Sequence, residues 1–314
     1  MKNPYLPYLD DFFLNLQTNN YSEKTLYSYE RDLDVFQNFL KEINTDFEKI
    51  DKKTILNYKA YLISRDRKTA KIHEGKKRLS SYSINRMLSA LRSYLKFLTD
   101  MDHKSSISSE TIKLVKTERK HPRVSEFDGV VKLIESPTKF EKNEVIALRN
   151  RAMLETLFST GVRISELLNI KVSEIDKTGR IFVQGKGKKE RFVYLTPRAQ
   201  KHIKEYLEVR KKILSPYLFI SCWGKNIDNR DKKLSSAYLQ EKIKKYRELL
   251  GINVPLSAHG IRHAFATYLA ESGANPAAIQ ILLGHESLDT TTRYVHPSDR
   301  YAERIQRKYH PLKE

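Results

Sequence analysis

The first hundred residues carry apolar side chains at three- and four-residue spacing, which is the period of one helix face. This spacing predicts four helices, over residues 5–16, 22–40, 53–64 and 81–98. The apolar face of the second is formed by Leu26, Tyr29, Leu33, Phe36 and Leu40. The apolar face of the fourth is formed by Ile84, Met87, Leu88, Leu91, Tyr94, Leu95 and Leu98. Residues 66–78 are polar and basic without a period, so we predict a loop there.

The pattern changes in the second half of the chain, where short runs of β-branched and aromatic residues appear between helical stretches. Residues 180–184 and 190–195 are such runs, and the turn 185–189 between them contains two glycines, which predicts a hairpin. Helical spacing recurs on both sides of this hairpin, over residues 143–158, 197–213, 234–250, 259–272 and 276–283.

A polar, charged stretch around Pro122 separates these two patterns. Proline within a polar cluster is typical of a loop, so we predict a linker over residues 117–125. The first domain is then residues 1–116 and the second is residues 126–314. The predicted fold class is mainly α: an all-helical N-terminal domain, then a mostly helical second domain with a small β-sheet.

The net charge of the chain indicates what kind of partner it binds. The chain has 314 residues and a formal net charge of +20. Residues 1–50 hold 5 basic and 9 acidic side chains (net −4) and residues 51–120 hold 18 and 7 (net +11), which leaves +13 for residues 121–314. Such an excess favours a polyanion as partner, above all nucleic acid. Charge alone leaves open the alternative that the lysines serve only solubility.

Three further observations exclude classes of protein. The single cysteine, Cys222, cannot form an internal disulfide, which argues against a disulfide-stapled secreted scaffold. No run of about 18 apolar residues is present, so no membrane span is predicted. The first eleven residues end in two aspartates at the point where an export signal would need an apolar stretch, so no signal peptide is predicted. We therefore expect a cytoplasmic protein.

Six candidate catalytic residues follow one another along the chain, and a seventh residue, Glu166, is a candidate supporting group. Arg163 and Glu166, just after Gly161, are three apart and share a helix face, although an isolated pair of this kind is usually a surface ion pair. Lys186 stands between two glycines at the hairpin tip. Lys188 and Lys189 lie close by, and the residues alone do not say which of the three acts. His259 and Arg262 follow, then His285 and Tyr294.

The order Arg, Lys, His-x-x-Arg, His, Tyr resembles the tyrosine recombinases. The strings GVRISELL, GKGKKERFVYL, SAHGIRHAFATYL and LLGHESLDTTTRYVH are similar to those of the Xer group, and the match covers about residues 150–300. Residues 81–92 resemble the helical, SAM-like core-binding domain of the family. The loop 66–78 is longer than is typical. We expect no additional arm-binding domain before residue 1, which favours the Xer group over many phage integrases.

The resemblance implies a reaction and a role for each residue. Tyr294 is the nucleophile that attacks a DNA phosphate to form a 3′-phosphotyrosine. Arg163 and Arg262 bind the phosphate, and Lys186 protonates the leaving 5′-hydroxyl. His259 assists proton transfer at the tyrosine, His285 contacts the phosphate, and Glu166 orients the site. The scheme requires no metal and no cofactor. Exposed cations on the predicted fourth helix and at the hairpin are candidate DNA-binding residues: Arg86, Arg92, Lys96, Lys188 and Lys189.

The resemblance also implies partners. We expect a double-stranded recombination site, four protomers on two such sites (one chain, or this chain with a homologue), and a C-terminal helix at 300–309 that docks on a neighbour. An FtsK-type translocase is a further candidate. The expected role is resolution of chromosome dimers at a dif-type site. The alternatives are a mobile-element integrase or invertase, a type IB topoisomerase, and a non-enzymatic DNA-binding protein.

Overall fold

The structure is a computed structural model that describes residues 6–64, 79–117, 127–185, 190–210, 215–221, 233–254 and 256–284. The chain divides into two compact units, Met1–His121 and Pro122–Glu314, each described by itself below. The predicted loop 66–78, most of the predicted linker and the predicted helix at 300–309 lie outside the described residues. The domain limits 1–116 and 126–314 accordingly stay predictions.

The described part of the first unit contains the four helices that the sequence predicts. They are α1 (Leu9–Thr18), α2 (Glu23–Glu42), α3 (Lys52–Ile63) and α4 (Ser81–Asp100). The Ser22 side chain accepts a hydrogen bond from the Thr25 N–H and so begins α2 as predicted. Ser80 begins α4 in the same way through the Ser83 N–H. These side chains satisfy N–H groups that a helix start leaves without a partner.

The core of the first unit includes most of the predicted apolar positions, although Leu26 and Tyr29 of α2 are only partly buried. All seven apolar positions predicted for α4 are buried. Aromatic rings from different helices pack edge to face, as between Phe36 and Tyr58, whose centroids are 4.7 Å apart. Each fully buried ring or leucine contributes about 2 kcal/mol to stability, and this set is large enough to form one contiguous core.

The second unit places helices around a two-stranded sheet. Its described elements are α5 (Phe127–Phe140), α6 (Glu144–Thr160), α7 (Ile164–Asn169), β1 (Arg180–Gln184), β2 (Glu190–Tyr194), α8 (Pro197–Arg210), α9 (Ser236–Leu249), α10 (Ala258–Glu271) and α11 (Pro276–Leu283). Helix α6 is central, packs against α5, α8 and α10, and is buried on all sides over residues 149–157. None of the described helices has the length and hydropathy needed to cross a membrane.

Helices α5, α6 and α8 share an ion-pair group that we call the Glu155 cluster: Glu155, Arg151, Arg198 and Glu135. Glu155 and Arg151 on α6 are buried, whereas the side chains of Arg198 and Glu135 are 46% and 47% exposed. The Glu155 carboxylate is 2.8 Å from Arg151 Nη2 and 2.7 Å from Arg198 Nε. Arg198 Nη2 also lies 2.8 Å from Glu135 Oε1. Two carboxylates thus balance two guanidiniums, and the buried Glu155–Arg151 pair is neutral, as expected for buried charges with a structural role.

Helix α5 is the element that the sequence analysis missed. It contains both a glycine, Gly129, and a proline, Pro137, which are residues that argue against a helix. Pro137 cannot donate a hydrogen bond to Leu133 O, but the Ser136 hydroxyl donates to that carbonyl over 2.7 Å. Val130, Leu133 and Ile134 are buried, so burial of the apolar face outweighs the unfavourable local residues.

The hairpin is confirmed. Strands β1 and β2 are antiparallel, with Arg180 opposite Tyr194 and Gln184 opposite Glu190 at the two ends. Ile181, Val183 and Val193 face the core. Phe182 pairs with Phe192 on the outer face.

Candidate active site

The turn between α6 and α7 places the first candidate arginine. Helix α6 ends at Gly161, whose φ of 62° lies in the left-handed region that favours glycine. A Cβ at Gly161 would also lie 2.3 Å from Cδ1 of Phe265. Two independent constraints therefore require glycine here. The chain then turns so that Arg163 precedes α7 and its backbone N–H donates to Glu166 Oε2 over 2.8 Å.

Glu166 is a buried carboxylate held by two arginines, so the surface ion pair considered from the sequence is wrong for this residue. Its residue exposure is 4%. Arg163 Nη1 donates to Oε1 over 2.8 Å, and Arg191 Nη2 donates to Oε2 over 2.7 Å. Burial would raise the pKa of Glu166, but the hydrogen bonds from Arg191 and from the Arg163 N–H outweigh it and lower the pKa. Glu166 is therefore an anion at neutral pH.

Arg262 reaches the same place from α10. It is almost fully buried. Its Nη1 donates to Gly161 O and its Nη2 to Leu283 O, each over 2.6 Å. The guanidinium thus joins the end of α6 to the end of α11, beside the turn that carries Arg163.

The last carbonyls of α11 receive three arginines. Helix α11 ends at Gly284 with a φ of 63°. We call residues 282–284 the α11 terminus. Leu282 O accepts a hydrogen bond from Arg191 Nε over 2.8 Å, and Leu283 O accepts one from Arg262. Gly284 O accepts a hydrogen bond from Arg163 Nη2 over 3.3 Å. Carbonyls at a helix C-terminus lack intrahelical donors and carry partial negative charge, so cations stabilise them.

Arg163, Arg191, Arg262 and Glu166 together form a group that we call the arginine centre. Among the residues that the structure describes, three guanidiniums meet one carboxylate there, which is an excess of two positive charges. The Arg163 side chain is 37% exposed, whereas Arg191 and Arg262 are almost fully buried, so Arg163 is the guanidinium of the centre most open to solvent. Such a centre is suited to a phosphate.

His259 lies in the first turn of α10, close enough to the arginine centre to respond to it. Partial desolvation of the ring, and after it the charges of Arg262 and Arg163, lower the pKa of His259 below its ordinary value. A histidine with a lowered pKa is neutral at neutral pH and can accept a proton.

The structure brings four of the predicted site residues together: Arg163, Glu166, His259 and Arg262. The other predicted groups, Lys186, Lys188, Lys189, His285 and Tyr294, lie outside the described residues. Their neighbours along the chain are described, since β1 and β2 flank the hairpin tip and Gly284 ends α11 directly before position 285. Roles for these residues stay predictions.

Among the candidate DNA-binding residues of α4, Arg92 and Lys96 are exposed. Arg86 differs, because its Nη2 lies 2.8 Å from Oδ1 of Asp32, whose side chain is fully buried. Burial raises the pKa of Asp32, and the positive charges of Arg86 and Arg31 oppose that rise. Arg86 therefore has a structural partner, and DNA contact by all three cations stays a prediction.

Arg191 is the member of the arginine centre that the sequence analysis missed. The signal for it was present: along a strand, positions 191 and 193 share a face, and Val193 faces the core. A charged residue on the buried face of a strand requires a buried partner. In the part of the chain that the structure describes, no group of three histidine, cysteine or acidic residues could hold a metal ion.

Comparison with known proteins gives matches over both units. The model of the phage integrase family matches residues 123–300, and that of the phage integrase N-terminal SAM-like domain matches residues 9–101. Tyrosine recombinase XerC of Pelobacter propionicus is 35% identical, over 98% of this chain and 96% of that protein. XerC of Thermodesulfovibrio yellowstonii is 32% identical, over 93% and 91% respectively.

The fold has solved counterparts. The crystal structure of the XerH site-specific recombinase bound to palindromic difH substrate, in a post-cleavage complex, matches with a TM-score of 0.69. The match covers 90% of this chain and 79% of that one at 23% sequence identity, which shows the shared fold.

Proposed function

Since this chain belongs to the phage integrase family, as a Xer-type tyrosine recombinase, we propose that it recombines DNA at specific sites through a 3′-phosphotyrosine intermediate. The observation that carries the proposal is the arginine centre. Its excess positive charge, partly exposed Arg163 and neighbouring neutral His259 are the features that a phosphate-transfer site requires.

The arginine centre acts on the charge that develops at phosphorus. Attack on a phosphodiester concentrates negative charge on the non-bridging oxygens, and fixed guanidiniums stabilise that charge. Arg163 contacts the phosphate directly. Arg262, buried beneath it, adds positive charge and fixes the carbonyls at 161 and 283; direct contact between Arg262 and phosphate is a further part of the proposal.

The chemical step replaces one ester bond by another. The Tyr294 oxygen forms a bond to phosphorus as the bond from phosphorus to O5′ breaks. His259 accepts the tyrosine proton, Lys186 gives a proton to the leaving O5′, and His285 contacts the phosphate. The phosphotyrosine conserves the ester energy, so the 5′-hydroxyl of a second strand can reverse the reaction and complete the exchange.

Two exchanges on paired DNA sites require four active sites, so we propose that the protein acts as a tetramer, of one chain or with a homologue. The C-terminal segment 300–309 is the proposed docking helix, and head-to-tail docking closes a ring. The net charge of +20 supports DNA as the partner.

The proposed cellular role is resolution of chromosome dimers at a dif-type site, in the cytoplasm and with an FtsK-type translocase as a candidate partner. The XerC names of full-length relatives support this role. Recombination of a mobile element uses the same chemistry and is the second candidate. Sequencing of DNA trapped covalently on the protein in its own cells separates the two: one chromosomal locus supports dimer resolution, whereas scattered loci or element ends contradict it.

The nucleophile is tested on a nicked duplex that carries the trapped sequence. We expect the unmodified protein to form a covalent protein–DNA adduct, and Tyr294→Phe to bind the same duplex without forming one. An adduct formed by Tyr294→Phe would contradict the assignment. Absence of an adduct with the unmodified protein would contradict the proposed reaction itself.

A further inference from the structure

Arg191 is a charged residue in a place that normally excludes charge. It lies on β2 opposite Val183, on the face of the hairpin that packs inward. Only 8% of its side chain is exposed. Burying a guanidinium costs several kcal/mol unless its donors are satisfied, so the contacts of Arg191 indicate what the position is for.

Those contacts join three separate elements. Nη2 and Nη1 of Arg191 donate to the two carboxylate oxygens of Glu166, over 2.7 and 3.2 Å. Nε donates to Leu282 O over 2.8 Å. Strand β2 is thereby fixed both to α7, which follows Arg163, and to the α11 terminus, which receives Arg163 and Arg262.

The fit around Arg191 is close. A Cβ built on Gly284 would lie 3.0 Å from Arg191 Nη1 and 3.2 Å from its Cδ. The end of α11 and the guanidinium are therefore packed against each other. A planar guanidinium with donors in fixed directions suits this three-way contact, and a lysine has a single donor atom that cannot reach all three acceptors.

We propose that Arg191 is a positioning residue of the active site. It holds Glu166 and the α11 terminus in register, and through them it sets the relative placement of Arg163 and Arg262. It also couples that placement to the hairpin whose tip carries Lys186. This inference rests on the proposed recombinase function and extends it to a residue that contacts no reacting atom.

The test uses the nicked duplex and measures both DNA binding and the rate of adduct formation. We expect Arg191→Gln to bind the duplex like the unmodified protein but to form the adduct about 100-fold more slowly, since small misplacements of catalytic groups cost this much. Arg198→Gln, which removes an arginine from the Glu155 cluster, is the matched control and should cleave at the unmodified rate per folded molecule.

Two further variants separate positioning from general loss of structure. With Arg191→Lys the positive charge beside Glu166 remains but the contact with Leu282 O is lost, so we expect cleavage to stay at least about 10-fold slow. In a double-mutant cycle, Arg191→Gln should add little to the defect of Glu166→Gln, because both break the same contact.

The outcomes are decisive in either direction. Full activity of Arg191→Lys, or effects of Arg191→Gln and Glu166→Gln that simply add, would overturn the positioning role while leaving the proposed function intact. If Arg191→Gln does not fold, the Arg191→Lys variant alone decides. If the unmodified protein forms no adduct, it is the proposed function that fails.

Discussion

Glu155 and Glu166 are both buried carboxylates that hold two arginines, yet their surroundings differ. The Glu155 cluster balances Arg151 and Arg198 with a second carboxylate, Glu135. The arginine centre instead has three guanidiniums for one carboxylate, and the described residues complete it with backbone carbonyls of the α11 terminus. Carbonyls satisfy N–H donors without cancelling charge.

Under the proposed function, this difference in charge balance is what separates a structural ion pair from an anion-binding site. A balanced cluster gains little from an added anion. A centre with surplus charge and satisfied donors is already in place before an anion arrives, and it reorganises little when one binds. The surplus is therefore the feature to look for when a buried ion-pair group is considered as an active site.

The largest expected effect comes from removing surplus charge. Arg262→Gln should slow adduct formation by about 10³-fold, because a fixed donor near the developing charge is worth about 10²–10³ in rate. The melting temperature will also fall, so the rate must be taken per folded molecule. Single-turnover cleavage of the nicked duplex is the measurement, and a rate within tenfold of the unmodified protein would contradict the comparison.

Exchanging the two carboxylates for amides should separate stability from activity. Glu155→Gln leaves Arg151 without its buried counter-charge and should destabilise the protein by about 3 kcal/mol, with cleavage per folded molecule unchanged. Glu166→Gln should lower the cleavage rate. Urea unfolding and single-turnover cleavage of both variants check this, and equal loss of cleavage in the two would remove the distinction.

Two glycines with nearly the same φ angle provide a third test. Gly161 and Gly251 have φ values of 62° and 66°, but a Cβ meets Phe265 only at Gly161 and meets nothing within 4 Å at Gly251. Alanine at Gly251 should cost about 1–2 kcal/mol for the left-handed conformation alone. Alanine at Gly161 should lower the free energy of unfolding by more than this, because its Cβ would clash with Phe265. It should also slow cleavage, because the backbone must move to relieve the clash and that movement displaces Arg163. Equal unfolding free energies for the two variants would contradict this.

The sequence predicts much of the fold because most helices have regular apolar faces, as the wholly buried face of α4 illustrates. It does not predict α5, where Gly129 and Pro137 oppose the helix that burial imposes. Of the arginine centre it predicts Arg163, Glu166 and Arg262, through residues close along the chain and through a family resemblance. The shared carbonyls and the balance of charge depend on packing between elements distant in sequence, which periodicity does not encode.

A smaller effect is expected in the pH dependence. In the proposed reaction, neutral His259 accepts the tyrosine proton, so we expect cleavage to fall as pH drops through the pKa of His259. Because that pKa is lowered, the fall should occur below the ordinary histidine value of about 6.5. Arg163→Gln removes one positive neighbour and should raise the pKa. Titration of the His259 ring by NMR tests this, with Arg198→Gln as control; no difference between the two variants would contradict it.

The smallest effect concerns cations outside both ion-pair groups. Arg92 and Lys96 are exposed on α4, so each should release about one counterion on binding DNA. Substituting either by glutamine should reduce the slope of log affinity against log salt by about 1, with cleavage at saturating DNA unchanged. Arg86→Gln should in addition lower the melting temperature, because Asp32 loses its partner. If the slope of log affinity against log salt is the same for Arg92→Gln and Lys96→Gln as for the unmodified protein, these two cations do not contact the DNA. A lowered saturating rate would mean that surface charge, and not only the arginine centre, contributes to the chemical step.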